Sequence, residues 1–510
     1  MLGRIRLNKF LILSLLLIFL LLALGVRVGL IVSAPRIAPY YGMIIPLGDA
    51  ARNLAEGRGY VIDKEYVASM ISLVDRENKL VDIQDVPPPR DEQFTPYYAL
   101  PPGTSMMLAG TYLAFGEYRY IYLRVIQAIV DSFGCLLMFL IGRELFGRKV
   151  GLIAAFLYAI YLPIAYLSTW PLHDALMPFI TLVSLYFFIK AVRTRAIKFY
   201  ILSAFFAGVG CYFQPSILLL PLIFGLGLFL YELRKPNFRE QVVYVAKVTA
   251  IMAVVAVLVM SPWVARNYRV SGGIMVMRPS MWQGVWEGFG EFENPVGAVL
   301  DDGVTYEQIK KEVGYDIKYG TPEYDAVFMP KVLSTIKEYP GWWLSVIVRR
   351  VPRTIVNFSE LGINNLSPIK ADYPVLLAYL YRNAPGAIGY KEALRGLAAG
   401  IKDGTFWEIA KGHPFGVIYF GLVGLFGVVP ALLSIVAIWF MRRNWRPLIL
   451  VATVPVYFSL VHMFTFVASY KSMVPGVLGY IIFSAVALYY IYNEIKGTTK
   501  KAVELAMPPN

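Results

Sequence analysis

Long apolar runs recur along the chain and are separated by short polar connections. Each run is close to the roughly 20 residues that a helix needs to cross a bilayer. The pattern therefore predicts an all-α polytopic membrane protein with about ten spanning helices. The predicted spans are residues 10–33, 119–142, 150–168, 172–190, 198–213, 215–232, 243–262, 414–440, 447–466 and 473–494.

The distribution of basic residues orients these spans. Clusters of Lys and Arg occupy every second connection, whereas the short connections "LSTWPL", "FQP" and "VASYKS" hold a single Lys between them. Because cytoplasmic loops are enriched in Lys and Arg, we expect both termini to be cytoplasmic, in a multi-pass protein of the cell (plasma) membrane. The apolar stretch 97–116 would invert this pattern if it crossed, so we predict that it lies in or dips into the outer interface.

Two long segments then lie on the outer face of the membrane. The stretch "GWWLSVIVRRVPRTIVNF" in the second of them has apolar and basic residues at helical spacing, which is typical of a helix on a membrane surface. The predicted organisation is a first transmembrane helix (1–34), a first extracytoplasmic loop with interfacial helices (35–118), a transmembrane core (119–262), a large extracytoplasmic segment (263–413), C-terminal transmembrane helices (414–494) and a cytoplasmic tail (495–510).

Composition agrees with this class and excludes others. Hydrophobic residues make up 57% of the 510 residues and charged residues only 16%. The net charge of +14 follows the topology, so we predict membrane lipids and no nucleic acid as partners. The two cysteines lie in apolar runs, and there is no HExxH, CxxC or phosphate-loop motif. No cofactor or metal site is predicted, and metal dependence stays open.

Acidic residues at the outer ends of spans are the first candidates for chemistry. Asp49 follows the first span, either as a helix-start carboxylate or as a general base. His173 and Asp174 lie in a very short outer loop, where the carboxylate either caps the next helix or has a task. Asp131 lies within a span and is either neutral or paired with Arg27 or Arg124.

Basic residues on the outer face are the second set of candidates. Arg266 and Arg269 in "SPWVARNYRVSGG" suit a phosphate group, or they anchor the helix end at the interface. Lys471 is the lone basic residue of an otherwise uncharged outer connection, which favours a binding role.

Several motifs in order resemble one family. They are "GDAARNLAEGRGY", "LPPGTSMMLAGTYLAFG", the Leu-Arg to Leu-Phe-Gly-Arg pattern in "LRVIQAIVDSFGCLLMFLIGRELFGRKVG", "LHDALMPF", "SPWVARNYRVSGG" and "EYPGWWLSVIVRRVPR". Together they resemble the GT-C membrane glycosyltransferases, and within them the relatives of protein O-mannosyltransferases and the lipid A aminoarabinose transferase (glycosyltransferase family 39-like). The resemblance covers roughly residues 10 to 480 and implies a GT-C-like helical bundle.

The resemblance also implies a reaction. A sugar moves with inversion from a polyprenyl-phosphate donor to a hydroxyl of a lipid, glycan or protein on the extracytoplasmic face, and a carboxylate acts as general base. Carried onto this chain, it makes Asp49 the candidate base and Asp174 a second catalytic acid. The implied substrate-binding residues are His173, Arg58, Arg266, Arg269, Tyr470 and Lys471.

The chain departs from the family pattern at two points. Family members often place the acid near the position of Met43, and "SYKSMVP" matches the family's last motif only in part. The tract 63–85 is interpreted as an insertion that covers the site or contacts an acceptor. Two other classes stay open: a transporter or flippase for glycolipid-type substrates, which would need partnered charges at mid-membrane depth, and a non-catalytic sensor of sugar lipids.

Overall fold

The structure is a computed structural model. It describes residues 9–33, 41–77, 81–86, 93–233, 236–273, 275–356, 361, 363, 367–380, 382, 390–465 and 473–497. This part of the chain is helical apart from one small two-stranded sheet.

The first half of the chain supplies a helical bundle and a covering segment. Its elements are α1 (Lys9–Val32), α2 (Tyr41–Ala55), β1 (Val61–Asp63), α3 (Lys64–Glu77), a 3₁₀ turn (Ile83–Asp85), β2 (Phe94–Pro96), α4 (Gly103–Phe115), α5 (Tyr120–Ser132), α6 (Gly134–Phe146), α7 (Arg148–Ala159), α8 (Leu162–Ser168), α9 (Met177–Thr194), α10 (Ile197–Cys211), a 3₁₀ turn (Pro215–Ile217), α11 (Leu220–Glu232) and α12 (Phe238–Ser271). The strands are antiparallel, with Ile62 opposite Thr95.

The second half adds a helical segment between α12 and α20, which is the second predicted outer segment, and the last long helices. Its elements are α13 (Met281–Phe289), α14 (Asp302–Val313), α15 (Pro322–Glu338), α16 (Pro340–Ile355), α17 (Ser367–Leu380), α18 (Tyr390–Asp403), α19 (Thr405–Gly412), α20 (Pro414–Met441), α21 (Arg446–Phe464), a 3₁₀ turn (Val474–Gly476) and α22 (Val477–Ile495).

Membrane-spanning helices follow the predicted positions, but their number differs. By length and composition, eight helices of the described chain can cross a bilayer, or nine if α7 and α8 form one span bent by 56°. The fifth predicted span, 198–213, corresponds to α10, which has only 15 residues and is too short to be counted. The prediction of an all-α, multi-pass membrane protein is confirmed, with eight or nine such spans in place of ten.

Small residues allow the bundle helices to approach each other closely. A methyl group added at Gly142 of α6 would lie 2.7 Å from the Cα atom of Gly151 in α7. The two backbones are therefore in direct contact, as is common between membrane helices that lack a hydrophobic driving force.

The outer segment has an aromatic core of its own. Trp286 and Phe289 of α13 pack with Tyr324 and Phe328 of α15. The amphipathic helix α16 is present as predicted, but one of its arginines, Arg350, is buried against the end of α21. This outer core is thereby attached to the bundle.

The two predicted outer segments contact each other. Arg266, near the end of α12, donates from Nη2 to the carbonyl oxygen of Tyr60 at 2.8 Å. A methyl group added at Gly320 would lie 3.6 Å from the Cβ atom of Ala99. The loop after α1 and the segment after α12 therefore lie at the same end of the bundle.

Candidate active site

Asp49 lies fully buried in the second half of α2, so it is not a helix-start carboxylate. Its Oδ1 atom is 2.8 Å from Nη2 of Arg52, three residues later on the same helix. Its Oδ2 atom accepts hydrogen bonds from the backbone N–H of Asp63 at 2.8 Å and from Nδ2 of Asn53 at 3.4 Å. Oδ2 is thus held by two hydrogen-bond donors, and Oδ1 faces the Arg52 cation.

The residue before α3, Asp63, contacts this carboxylate directly. The Asp63 side chain accepts hydrogen bonds from the backbone N–H groups of Glu65 and Tyr66, and this is the bonding pattern of a helix cap. The backbone N–H group of Asp63 donates to Asp49. The ring of Tyr66 lies under the Arg52 guanidinium, 4.5 Å from its centre. The beginning of the predicted insertion 63–85 therefore packs directly against the candidate base.

The Tyr66 hydroxyl holds the far end of this insertion. It is within 3.1 Å of the Ile83 carbonyl and 2.7 Å of the Val86 carbonyl. Burial raises the pKa of the Tyr66 phenol above its ordinary value of 10.0. The hydroxyl consequently remains a hydrogen-bond donor at neutral pH.

Asp174 is the second buried acid, in the short connection between α8 and α9. Its Oδ1 atom accepts a hydrogen bond from Nε2 of Gln214 at 2.6 Å, and its Oδ2 atom lies 3.2 Å from Nε2 of His173. The residue that begins α9 as its N-cap is Leu176, and its side chain makes no cap bond. The Asp174 side chain belongs to a buried polar group with Gln214 and His173.

The first turn of α4 joins the segments that carry the two acids. Ser105 donates from Oγ to the Leu47 carbonyl at 2.9 Å, and Thr104 donates from Oγ1 to the Leu172 carbonyl at 3.2 Å. Leu47 and Leu172 each lie two residues before a candidate acid. The "PPGTS" stretch therefore fixes the relative position of Asp49 and Asp174.

Arg266 contacts the first predicted outer segment through Tyr60. In addition to its bond to Tyr60, the Arg266 guanidinium lies against the rings of Tyr60, Tyr98 and Trp263, at 5.0–5.6 Å from their centres. Arg269 lies about one helical turn later on α12 and is exposed. Aromatic faces around a guanidinium restrict its orientation without using its hydrogen-bond donors.

Arg58 lies in the turn after α2, between Gly57 and Gly59. Both glycines have positive φ angles, 79° and 89°, which explains the Gly-Arg-Gly sequence. Arg58 forms an ion pair with Glu56 and donates from Nη1 to Oδ1 of Asn53 at 3.1 Å. Since Asn53 also bonds Asp49, Arg58 is two hydrogen bonds away from the candidate base.

Two predicted substrate-binding residues, Tyr470 and Lys471, lie outside the described residues. Among the residues that the structure describes, no three His, Cys, Asp or Glu side chains come together as a metal site would require.

Three residues of the site were missed by the sequence analysis. Arg52 has a local signal, since it follows Asp49 by one helical turn. Asp63 also has one, because an Asp before "KEY" fits a helix start. Gln214 has none, because it reaches Asp174 from 40 residues away.

Residues 99–263 match the family model described as dolichyl-phosphate-mannose-protein mannosyltransferase. The predicted resemblance to protein O-mannosyltransferases is confirmed over this segment. The matched segment includes α4 and Asp174, but it begins after Asp49 and ends before Arg266. A comparison with curated proteins finds no match.

Two solved structures are similar to the chain at low identity. The oligosaccharyltransferase AglB from Archaeoglobus fulgidus, in complex with an inhibitory peptide and a dolichol-phosphate, is 12% identical, with a TM-score of 0.49 and coverage of 99% of this chain and 53% of that chain. ArnT from Cupriavidus metallidurans, bound to undecaprenyl phosphate, is 13% identical, with a TM-score of 0.43 and coverage of 96% of this chain and 62% of that chain. The chain thus spans about half the length of AglB.

Proposed function

We propose that the chain is a membrane glycosyltransferase that moves a sugar from a polyprenyl-phosphate donor to an acceptor hydroxyl on the extracytoplasmic face. The observation that carries this proposal is the buried Asp49 carboxylate, held by Arg52 and by the Asp63 N–H at the end of the bundle where Arg266 also lies. The family match over residues 99–263 supports the reaction class.

The proposed step is a single displacement. The acceptor hydroxyl oxygen forms a bond to the anomeric carbon of the sugar, and its proton passes to Asp49. The bond from the anomeric carbon to the phosphate oxygen breaks, and the electron pair leaves with the polyprenyl phosphate. Because attack and departure occur on opposite faces of the sugar, the configuration inverts. Positioning and stabilisation of the departing phosphate supply the rest of the rate enhancement.

The other predicted residues receive proposed roles around this step. Asp174, with His173 and Gln214, orients donor or acceptor hydroxyls. Arg266, Arg269 and Lys471 are proposed contacts of the lipid phosphate, and Arg58 and Tyr470 are proposed substrate contacts. Both termini are proposed to be cytoplasmic, in the plasma membrane.

Replacement of the candidate base tests the proposal. Asp49→Asn keeps the size of the side chain but removes the proton acceptor, and we expect sugar transfer to fall by about 10²- to 10⁴-fold. Asp75→Asn is the matched control, because Asp75 makes the same exchange on an exposed face of α3, where it accepts a hydrogen bond from the Tyr41 hydroxyl. Mass spectrometry of envelope glycolipids and glycoproteins, with the gene deleted and then restored as each variant, measures the product. Full product formation by Asp49→Asn would remove Asp49 from the mechanism.

A further inference from the structure

Three arginines of the described chain are almost fully buried, and each is paired with a carboxylate. Arg27 and Arg350 are 0% exposed and Arg52 is 2% exposed. Burying a guanidinium is costly unless its N–H groups have partners, so the surroundings of each nitrogen can be compared.

In Arg27 and Arg350, every guanidinium nitrogen is in contact with an oxygen atom. For Arg27, Nε and Nη2 lie 2.7 and 2.6 Å from Asp131, and Nη1 donates to the Ala23 carbonyl at 3.0 Å. For Arg350, Nε donates to Glu291, Nη1 to the Met463 carbonyl and Nη2 to the Gly288 carbonyl. Nη2 of Arg27 contacts Asp131 as an ion pair only, so Arg27 has two hydrogen-bonded nitrogens and Arg350 has three.

Arg52 differs, because none of its nitrogens is hydrogen-bonded within the described part of the chain. Nη2 lies 2.8 Å from Asp49 as an ion pair, and the flat face of the group rests on Tyr66. Nε, Nη1 and Nη2 are all buried and have no hydrogen-bond partner among the described residues. An aromatic face does not accept these in-plane N–H bonds, so the cost of desolvating them is uncompensated.

The unfilled donors have the chemistry of an anion site. Arginine presents planar N–H donors that match the oxygens of a phosphate, and charge-assisted bonds of this kind are among the strongest in proteins. The same guanidinium lies beside the candidate base, since Nη2 is 2.8 Å from Oδ1 of Asp49. A phosphate bound by Arg52 would therefore be positioned relative to Asp49 by a single side chain.

The geometry points to Arg52 as a binding residue for the phosphate group of the lipid-linked donor, which it contacts through its buried N–H donors while its guanidinium remains beside Asp49. This inference rests on the proposed function for the identity of the donor. Since the Arg52 side chain is only 3% exposed, the phosphate reaches it by displacing part of the cover formed by α3 and Tyr66. Binding is therefore accompanied by a rearrangement of α3 relative to α2.

Binding of undecaprenyl phosphate to the full chain in nanodiscs tests this inference without requiring turnover. Arg52→Lys keeps the charge and removes the planar donors, and we expect its Kd to be about tenfold higher or more. Arg27→Lys is the matched control, because it makes the same exchange in an equally buried pair outside the site, and its Kd is expected to change by less than about twofold. Equal Kd values for wild type and Arg52→Lys would overturn the inference.

A measurement on the unmodified protein covers the case in which Arg52→Lys does not fold. Undecaprenyl phosphate is expected to change hydrogen exchange in peptides from residues 49–66, whereas undecaprenol, which lacks the phosphate, is expected to leave them unchanged. The same response to both lipids would contradict a phosphate site. Sugar transfer is assayed separately. Phosphate-dependent binding without any transfer by wild type would refute the proposed function alone, and transfer with unchanged binding by Arg52→Lys would refute this inference alone.

Discussion

Arg27 and Asp131 form an ion pair that is completely enclosed by the helical bundle. Nε and Nη2 of Arg27 lie 2.7 and 2.6 Å from the same oxygen, Oδ2, and the Tyr158 hydroxyl donates to Oδ1 at 2.6 Å. The pair links α1 to α5, and Tyr158 adds α7. A charge at this depth is tolerated because its partner and its hydrogen bonds are supplied by neighbouring helices.

Removing one member of this pair is expected to destabilise the bundle strongly. Arg27→Met leaves the Asp131 carboxylate buried without its cation, and the expected loss is about 3–5 kcal/mol of unfolding free energy. The double variant Arg27→Met/Asp131→Leu replaces both charges by apolar groups and is expected to recover most of that loss. Thermal unfolding in detergent, followed by tryptophan fluorescence, measures both. A double variant as unstable as the single one would show that the pair does not act as a compensated unit.

The partner of Asp131 could be predicted from the sequence only in part. The position of Asp131 within an apolar run predicts that it needs a partner, and the sequence leaves Arg27 and Arg124 as alternatives. The structure selects Arg27, while Arg124 donates from Nε to the Thr169 carbonyl at 2.6 Å and lies against Trp170. Which helix faces which depends on the packing of the whole bundle, and a local pattern does not contain that information.

The membrane spans were easier to predict from the sequence than the contacts within the candidate site. The spans were predictable because each apolar run carries its own signal, and only the bent pair α7–α8 and the short α10 depart from it. In the site, Asp49 could be chosen from sequence. The contact of its Oδ2 atom with the Asp63 N–H depends on closing a loop 14 residues long, and the bond from Gln214 to Asp174 depends on helix packing.

Asp63 is expected to influence catalysis through the position of Asp49. Asp63→Ala removes the side-chain cap of α3, at a cost of about 1 kcal/mol, and loosens the backbone N–H that bonds Asp49. Asp63→Asn keeps an oxygen acceptor and is expected to retain the cap. We expect Asp63→Ala to lower kcat with little change in KM, and Asp63→Asn to stay near wild type. Identical kinetics for Asp63→Ala and wild type would exclude this positioning role.

Glu287 is expected to make the stability of the outer segment depend on pH. Burial, and secondly a hydrogen bond to the Asp302 carboxylate, raise the pKa of Glu287 from 4.5 to about 8. The charge of Asp301 acts in the same direction, whereas the hydrogen bond from Gln283 opposes it. The folded state therefore keeps this proton while the unfolded state releases it, so stability falls as pH rises from about 4.5 to about 8.

Glu287→Gln removes the titrating proton and is expected to flatten this part of the pH dependence. Melting temperatures measured between pH 5 and 9 provide the comparison, and every other titrating group is common to both proteins. Glu293→Gln is the control, since Glu293 is an exposed carboxylate of the same outer segment and its removal is expected to leave the slope unchanged. Parallel curves for wild type and Glu287→Gln would disprove the assignment.

Gly103 is expected to tolerate no side chain, because it lies where α4 meets the end of α10. Its N–H group donates to the Tyr212 carbonyl at 2.7 Å, and an added methyl group would lie 2.7 Å from that same oxygen. Gly103→Ala must therefore move the first turn of α4, which also carries the Ser105 and Thr104 bonds next to the two acids. We expect a loss of both stability and sugar transfer. Gly110→Ala, on an open face of the same helix with nothing within 4 Å, is expected to be neutral or to stabilise α4 by up to about 1 kcal/mol. Equal effects of the two substitutions would mean that helix propensity, and not the contact with Tyr212, decides the outcome.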